Sequence, residues 1–313
     1  MVTLLRKAGI LQKTHRRSRL MHNRSSLGEK IFDLVNILFM LLLMAATLYP
    51  FLYVVFSSFS APEELVSHRG LLLKPAGFSL ASYRMVFSNP MIAIGYYNTV
   101  IYVVAGTGLN LLLTSLAAYA LSRRNVRFTG PIMLGIVFTM FFTGGLIPTY
   151  LLIGNLHLFD SRWVMILPSA INTWNLLVMR TSFQGVPAEL EESARIDGAQ
   201  DFTILFRVFI PVCLPIMAVM TLFYGVQHWN SYLDALIYIR DRALYPLQLV
   251  MQEILIANST ESMTTAVSDY DKGLVQETIK YATIVVATVP ILLLYPFLQR
   301  YFVKGVMLGA IKE

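Results

Sequence analysis

Charge is scarce in this chain. Only 14% of its 313 residues are Asp, Glu, Lys or Arg, against 56% hydrophobic, where soluble domains carry about a quarter charged. A soluble fold of this composition would have to hide nearly every helix on all faces, so the class is membrane protein. Cysteine is almost absent too: Cys213 stands alone, which excludes an internal disulfide and any cysteine-based metal cluster. No GxxxxGK[ST], HExxH, CxxC or GxSxG pattern occurs, and no catalytic residue or metal ligand is assigned. The longest polar stretches, residues 1–30, about 60–84, 180–207 and 240–280, are too short for a nucleotide-binding domain, because a domain needs at least about 50 residues and a nucleotide-binding one more. Energy for any powered transport must be supplied by another chain.

What is present is long apolar sequence. Leu34 to Pro62, Met85 to Ser122, Phe128 up to Arg162, Trp163 to Met179, Val208 to Leu233 and Tyr281 to Gln299 lack Asp, Glu, Lys and Arg, save for Asp160 at the end of the third, each for long enough to approach or exceed a hydrocarbon core of about 30 Å. The expectation is an all-α protein with six membrane spans, the fourth being the shortest. Basic residues orient it. Arg6, Lys7, Lys13, Arg16, Arg17, Arg19, Arg24 and Lys30, then Arg123, Arg124 and Arg127, then Arg180, Arg195 and Arg207, then Arg300, Lys304 and Lys312 fall on one side, which places both termini in the cytoplasm. The basic arm is read as an inside anchor meeting anionic lipid rather than a nucleic-acid contact. The first span starts too late, and is too long, for a cleaved signal. The organisation is a basic cytoplasmic arm (1–30), a membrane domain (31–302) with a cytoplasmic segment (184–207), and a cytoplasmic tail (303–313).

Three local features add detail. Pro50 removes one ladder bond from the first span and predicts a kink. Phe142 to Pro148 sets a glycine pair and a proline in an apolar run, read either as a broken helix lining a route or as close packing through small residues. Leu244 to Leu255 predicts a short surface helix, followed by a polar turn from Asn258 to Met263, a surface for an external partner or an interfacial cap.

The most informative segment is Glu192, Ser193, Ala194, Arg195, Ile196, Asp197, Gly198, followed by Val208, Phe209, Ile210, Pro211. Pro187 opens a helix, Glu189, Glu191 and Glu192 favour its N-terminal half, and Gly198 ends it, giving roughly eleven residues or about 16 Å. Leu190, Ser193, Ala194 and Asp197 share one narrow face. Anchored at both ends to spans, such a rod suits the passing of force from a soluble partner; the alternative is an ordinary amphipathic connector on the membrane.

The segment resembles the cytoplasmic-loop motif of binding-protein-dependent ABC importer permeases, Glu-Ala-Ala, three residues, Gly, nine residues, Ile-x-Leu-Pro. Here Glu192, Ser193, Ala194, Gly198, Val208, Ile210 and Pro211 stand at those positions, with Ser for Ala, Val for Ile and Ile for Leu. Asn98 and Thr99, Gly144 to Tyr150, Leu167 to Phe183, and Trp229 with Asn230 look like the carbohydrate branch, of the maltose-transporter type. Tyr245, Pro246, Leu247, Gln248 and the long arm resemble permeases for oligosaccharides, including uronate-bearing ones. The resemblance implies a multi-pass subunit of the prokaryotic cytoplasmic membrane, a second homologous permease, two ATPase subunits that bind ATP and Mg2+, an extracytoplasmic substrate-binding protein, and no cofactor in this chain. It implies coupling to the ATPase through Glu189, Glu192, Ser193, Ala194, Asp197 and Gly198. For the sugar pathway, Asn172, Trp174, Asn175, Tyr224, Gln227, Trp229 and Asn230 are candidates, as amide and aromatic groups in or beside spans. They equally suit interface anchors and helix glue, and in the maltose type the sugar contacts lie mainly in the other permease. The competing function class is a secondary transporter or channel working without an ATPase.

Overall fold

The computed structural model describes residues 27–123, 126–256, 277–293 and 296. Among these residues the chain is helical and forms no β-strand, only an isolated bridge between Ser60 and Phe78. The chain divides into two units, one ending at Tyr53 and one beginning at Val54. The arm before Leu27, the turn at Asn258 to Met263 and the tail 303–313 lie outside the described residues.

Helix α1 (Leu27–Ser58) has 32 residues and continues through Pro50. At about 48 Å by helical rise it exceeds what a hydrocarbon core requires. The expected effect of Pro50 is confined to one missing ladder bond rather than a break.

The second unit contains, in chain order, α2 (Pro62–Ser67), α3 (Ala81–Ser88), α4 (Pro90–Ser122), α5 (Thr129–Phe141), α6 (Leu146–Asn155), α7 (Thr173–Gln184), α8 (Ala188–Ile196), α9 (Asp201–Val212), α10 (Leu214–Trp229), α11 (Leu233–Tyr238), α12 (Leu247–Ile256) and α13 (277–293). Helix α4 is its axis, packed by α7, α10 and α12. Asn89 caps it by accepting from the Met91 N–H, and Pro90 occupies the first turn, where its missing N–H costs nothing.

Burial on α4 inverts the soluble rule. Asn98, Thr99, Thr107, Asn110, Thr114 and Ser115 are buried, while Tyr97, Val100, Val104 and Leu112 are exposed. In lipid the apolar face needs no protein cover, so polar groups turn inward and join helices. Asn98 donates to the carbonyls of Ala243 (2.7 Å) and Tyr245 (3.1 Å) and accepts from Arg162 (3.2 Å). Thr99 accepts from the Leu247 N–H at 2.8 Å, and Tyr102 donates to the Leu244 carbonyl at 2.7 Å. Asn110 donates to the carbonyls of Ser169 and Ala170 and pairs with His228 at 2.7 Å. This row of side chains satisfies backbone that leaves helical geometry, the condition for irregular chain in a membrane interior.

That row explains where the spans depart from expectation. The third splits into α5 and α6, bent by 112° at Phe142–Gly145. Gly145 there has φ 85, a conformation open to glycine, so the glycine pair marks a break. Trp163 to Met179 is not one helix. It is a 3-10 turn (Arg162–Met165), then irregular backbone to the cap Asn172, then α7. The carbonyls of Ser169 and Ala170, freed by that irregularity, are the ones Asn110 takes. The fifth bends by 88° between α9 and α10, where Pro211 and Pro215 flank Cys213. Helix α12 is not a surface helix, because Leu247, Leu249, Val250, Met251 and Ile254 are buried, and Gly95 lets its first turn approach α4 closely. By length and composition two described helices, α1 and α4, can cross a membrane, or up to four if each bent pair is one span.

Gly106 is the tight point of α4: a Cβ there would fall 2.3 Å from His228 Nε2, whereas one on Gly108 would meet nothing within 4 Å. Gly106→Ala is expected to displace the His228 ring, break its bond to Asn110 and destabilise by about 1–3 kcal/mol. Gly108→Ala is expected to be neutral or to stabilise by up to about 1 kcal/mol, through helix propensity alone. Thermal unfolding of the purified complex separates the two, and equal midpoints would contradict the close contact.

Candidate functional site

The loop between α7 and α10 carries the candidate site. Pro187 stands at the N-cap of α8, with Glu189 and Glu191 in the first turn and Arg195 in the last, each charge placed to favour the helix dipole. At the other end the Ala199 N–H donates to the Ala194 carbonyl at 2.9 Å and the Gly198 N–H to that of Arg195 at 3.0 Å. Gly198 has φ 81, the left-handed closure that glycine supplies. The helix is nine residues long, close to the expected span, because proline and glycine punctuate it.

Its attachment is where the structure adds most. Arg123, the residue that ends α4, forms an ion pair with Glu191, with side chains 11% and 14% exposed. The same guanidinium donates to the Phe183 carbonyl (3.1 Å) and to Ser122 (3.0 Å). It lies 4.3 Å from the Phe209 ring centroid and 5.3 Å from that of Tyr119. One side chain therefore joins the ends of α4 and α7 to α8 and α9. The second Glu191 oxygen accepts from Arg195 at 3.0 Å, and Arg195 also reaches Asp201 at 2.6 Å. The hydrogen bonds that Arg195 donates to Glu191 hold its guanidinium pKa still further above its usual value. Breaking one side of an ion pair this buried costs about 3–5 kcal/mol, several times an exposed pair.

This anchoring sorts the predicted residues. Ala194 turns inward and packs against the cluster around Phe183, Phe209 and Leu205. Glu189, Glu192, Ser193, Asp197 and Gly198 are exposed, beside Ile196 at 87% and Phe202 at 67% exposure. The face expected to run through Leu190, Ser193, Ala194 and Asp197 is divided accordingly, with Ala194 toward the protein and the others outward. Sequence names Arg123 as an orienting charge and Glu191 as a charge that favours the start of the helix, but does not pair them. They lie 68 residues apart, and an arginine after a span reads only as an orienting charge.

The pathway candidates fall into separate groups rather than one site: Tyr224, Asn172 and Asn175 are joined by hydrogen bonds, and Gln227 and Asn230 share a cavity. Tyr224 is fully buried, its hydroxyl bonded to Thr114 at 2.7 Å and accepting from the Asn172 N–H at 3.2 Å. Asn172 caps α7 by accepting from the Asn175 N–H, and Asn175 is buried. Trp229 is buried in the cluster with Leu247 and Val250 and meets Tyr96 edge-on at 6.4 Å. Trp174, Gln227 and Asn230 are exposed. Of these, Gln227 and Asn230 line one cavity at the end of α10.

Fold and site together describe a helical membrane subunit with a rigidly held loop helix. Residues 110–308 match the family described as "Binding-protein-dependent transport system inner membrane component". The chain is 42% identical over 286 residues to the polygalacturonan/rhamnogalacturonan transport system permease protein YtcP of Bacillus subtilis (strain 168), covering 91% of this chain and 99% of that one. It is 39% identical over 297 residues to protein LplC of the same organism, covering 93% and 98%. In structure it is similar, with a TM-score of 0.81 and 31% identity, to a chain in the "Crystal structure of a bacterial ABC transporter involved in the import of the acidic polysaccharide alginate", covering 88% of this chain and 98% of that one. The chain belongs to the family of inner membrane components of binding-protein-dependent transport systems. It is an integral protein of the bacterial cell membrane and a permease subunit rather than an enzyme.

A double-mutant cycle with Arg123→Leu and Glu191→Leu tests the anchor. The two changes are expected to couple by about 1–3 kcal/mol in thermal unfolding of the complex. Strict additivity would show that the pair carries no mutual energy.

Proposed function

We propose that this chain is a permease subunit of an ATP-driven importer of oligosaccharides and forms half of its translocation pathway. It couples to a cytoplasmic ATPase through Glu189, Glu192, Ser193, Ala194, Asp197 and Gly198. The observation that carries this reading is the division of α8: Glu191 and Ala194 tie it to the membrane domain, while Glu192, Ile196 and neighbouring Phe202 stand free for a partner. A carboxylate flanked by exposed apolar groups suits a groove that supplies an arginine or backbone donors.

The rest of the assembly follows from the family. A second homologous permease completes the pathway, two ATPase subunits hold ATP and Mg2+, and an external binding protein delivers substrate. Six spans with both termini inside fit the basic residues at the arm, at Arg123 and Arg127 and around α8. The substrate class is supported by the names of the relatives, a polygalacturonan/rhamnogalacturonan permease and an alginate importer. Asn172, Trp174, Asn175, Tyr224, Gln227, Trp229 and Asn230 remain the proposed pathway set, with Gln227 and Asn230 the members exposed at a cavity.

The test is reconstitution of the chain with a second permease, the ATPase and the binding protein in proteoliposomes. Glu192→Lys is expected to weaken ATPase docking by about 2 kcal/mol or more, roughly thirtyfold. Gly198→Val penalises the left-handed turn. Both variants should hydrolyse ATP without matching sugar uptake while the chain stays inserted. Unchanged substrate-stimulated hydrolysis and uptake in both would remove the coupling role. Uptake by the isolated chain under an ion gradient would instead establish a carrier that needs no ATPase.

A further inference from the structure

A second feature lies at the opposite end of α10 from the coupling loop. Helix α10 begins just after that loop and runs 16 residues, about 24 Å, most of the way across a hydrocarbon core of about 30 Å. Around its last turn is a cavity of about 220 Å³, whose polar lining includes Ser169, Gln227, Asn230, Tyr232 and Asp234. Asp234 stands out in it. Its side chain is half-buried, none of the hydrogen bonds or ion pairs among the described residues involves it, and no lysine or arginine lines the cavity. The neighbouring His228 is engaged with Asn110.

An acceptor partly removed from water and left without a protein donor carries a desolvation cost, and a cavity that gathers such a carboxylate with amide, hydroxyl and phenol groups is suited to a ligand that donates hydrogen bonds. The chemistry of the lining restricts the occupant. A lone carboxylate with no cation beside it repels a second anion, so neither a phosphate nor a uronate carboxylate suits this position. Hard cations need six or more oxygens, and no group of three or more metal-binding side chains exists among the described residues. Neutral hydroxyl groups suit it. A carboxylate accepts from two of them, a glutamine amide both donates and accepts, and a tyrosine offers a ring face. The volume is below the usual range for drug-sized ligands, which limits the occupant to about one sugar ring.

We infer that the cavity at the end of α10 is a subsite for the hydroxyl face of a single pyranose unit of the passing oligosaccharide, with Asp234 accepting from two hydroxyls. The acidic groups of a uronate-bearing chain face away from it. This inference rests on the importer reading and adds a residue that selects against negative charge.

The test uses the complete reconstituted complex with its binding protein, and galactotriose and trigalacturonate as probes. Asp234→Ala is expected to raise the KM for uptake of an imported probe by about tenfold, from the loss of hydrogen bonds to a charged group. Asp234→Asn should fall between Ala and the parent, and Tyr232→Ala should raise KM as well. Asp234→Lys should shift the uptake ratio toward trigalacturonate. Assembly of the purified complex and its thermal unfolding midpoint guard against misfolding in each. Unaltered KM and probe ratio in all four variants of an importing complex would overturn the subsite while leaving the importer standing. A parent complex that imports neither probe, and whose ATPase responds to neither, would instead bring down the sugar-import reading and the subsite with it.

Discussion

Glu191 binds two arginines at once, one on each carboxylate oxygen, and through Arg123 it connects the loop helix to the axis of the second unit. Nearly everything proposed for the coupling segment depends on that connection. A short helix held only by flexible ends would rotate or fray under load, since isolated helices of this length are marginal. With Glu191 fixed beneath it and Ala194 packed on the Phe183 and Phe209 cluster, displacement of the outward face must displace α4 as well. A break in such a pair costs about 3–5 kcal/mol, a large share of ordinary folding stability, so separation of the two is disfavoured against movement together.

Helix α4 is suited to receive that displacement because Asn98, Thr99, Tyr102 and Asn110 are already spent on other segments. Asn98, Thr99 and Tyr102 hold the backbone from Ala243 to Leu247, and Asn110 holds Ser169 and Ala170 and meets His228 on α10. Each bond is modest in net energy. Together they attach the irregular parts of the chain to one rod, so that a shift at Arg123 reaches both α10 and the segment before α12. The end of α10, with Asp234 and its cavity, lies at the far terminus of this route.

Much of this was legible in the sequence, and the parts that were not share a physical cause. Pro187 and Gly198 bounded α8 because both act through the local backbone, and the loop motif pointed to the family later matched over residues 110–308. A run without charges, in contrast, reports solvent preference and not continuity. Trp163 to Met179 read as one continuous segment although its backbone is irregular, because the side chain that satisfies its carbonyls, Asn110, is about 60 residues away in sequence. For the same reason Leu244 to Leu255 read as a surface helix, when Thr99 and the absent side chain of Gly95 draw the helix that forms there, Leu247–Ile256, into the core. Tyr224 and Trp229 carry pathway chemistry in their side chains, yet packing partners on α4 bury them. Arg123 left no local trace of its role.

The central claim is that the loop helix and the end of α4 move as one body. A spin-label distance between positions 188 and 120, measured in the assembled complex with and without ATP, addresses it most directly. The account predicts one narrow distribution that does not change between the two states, while the distance from position 188 to a label on the ATPase does. A distance between 188 and 120 that shifts or broadens with ATP would show the helix swinging on its ends and would contradict the account.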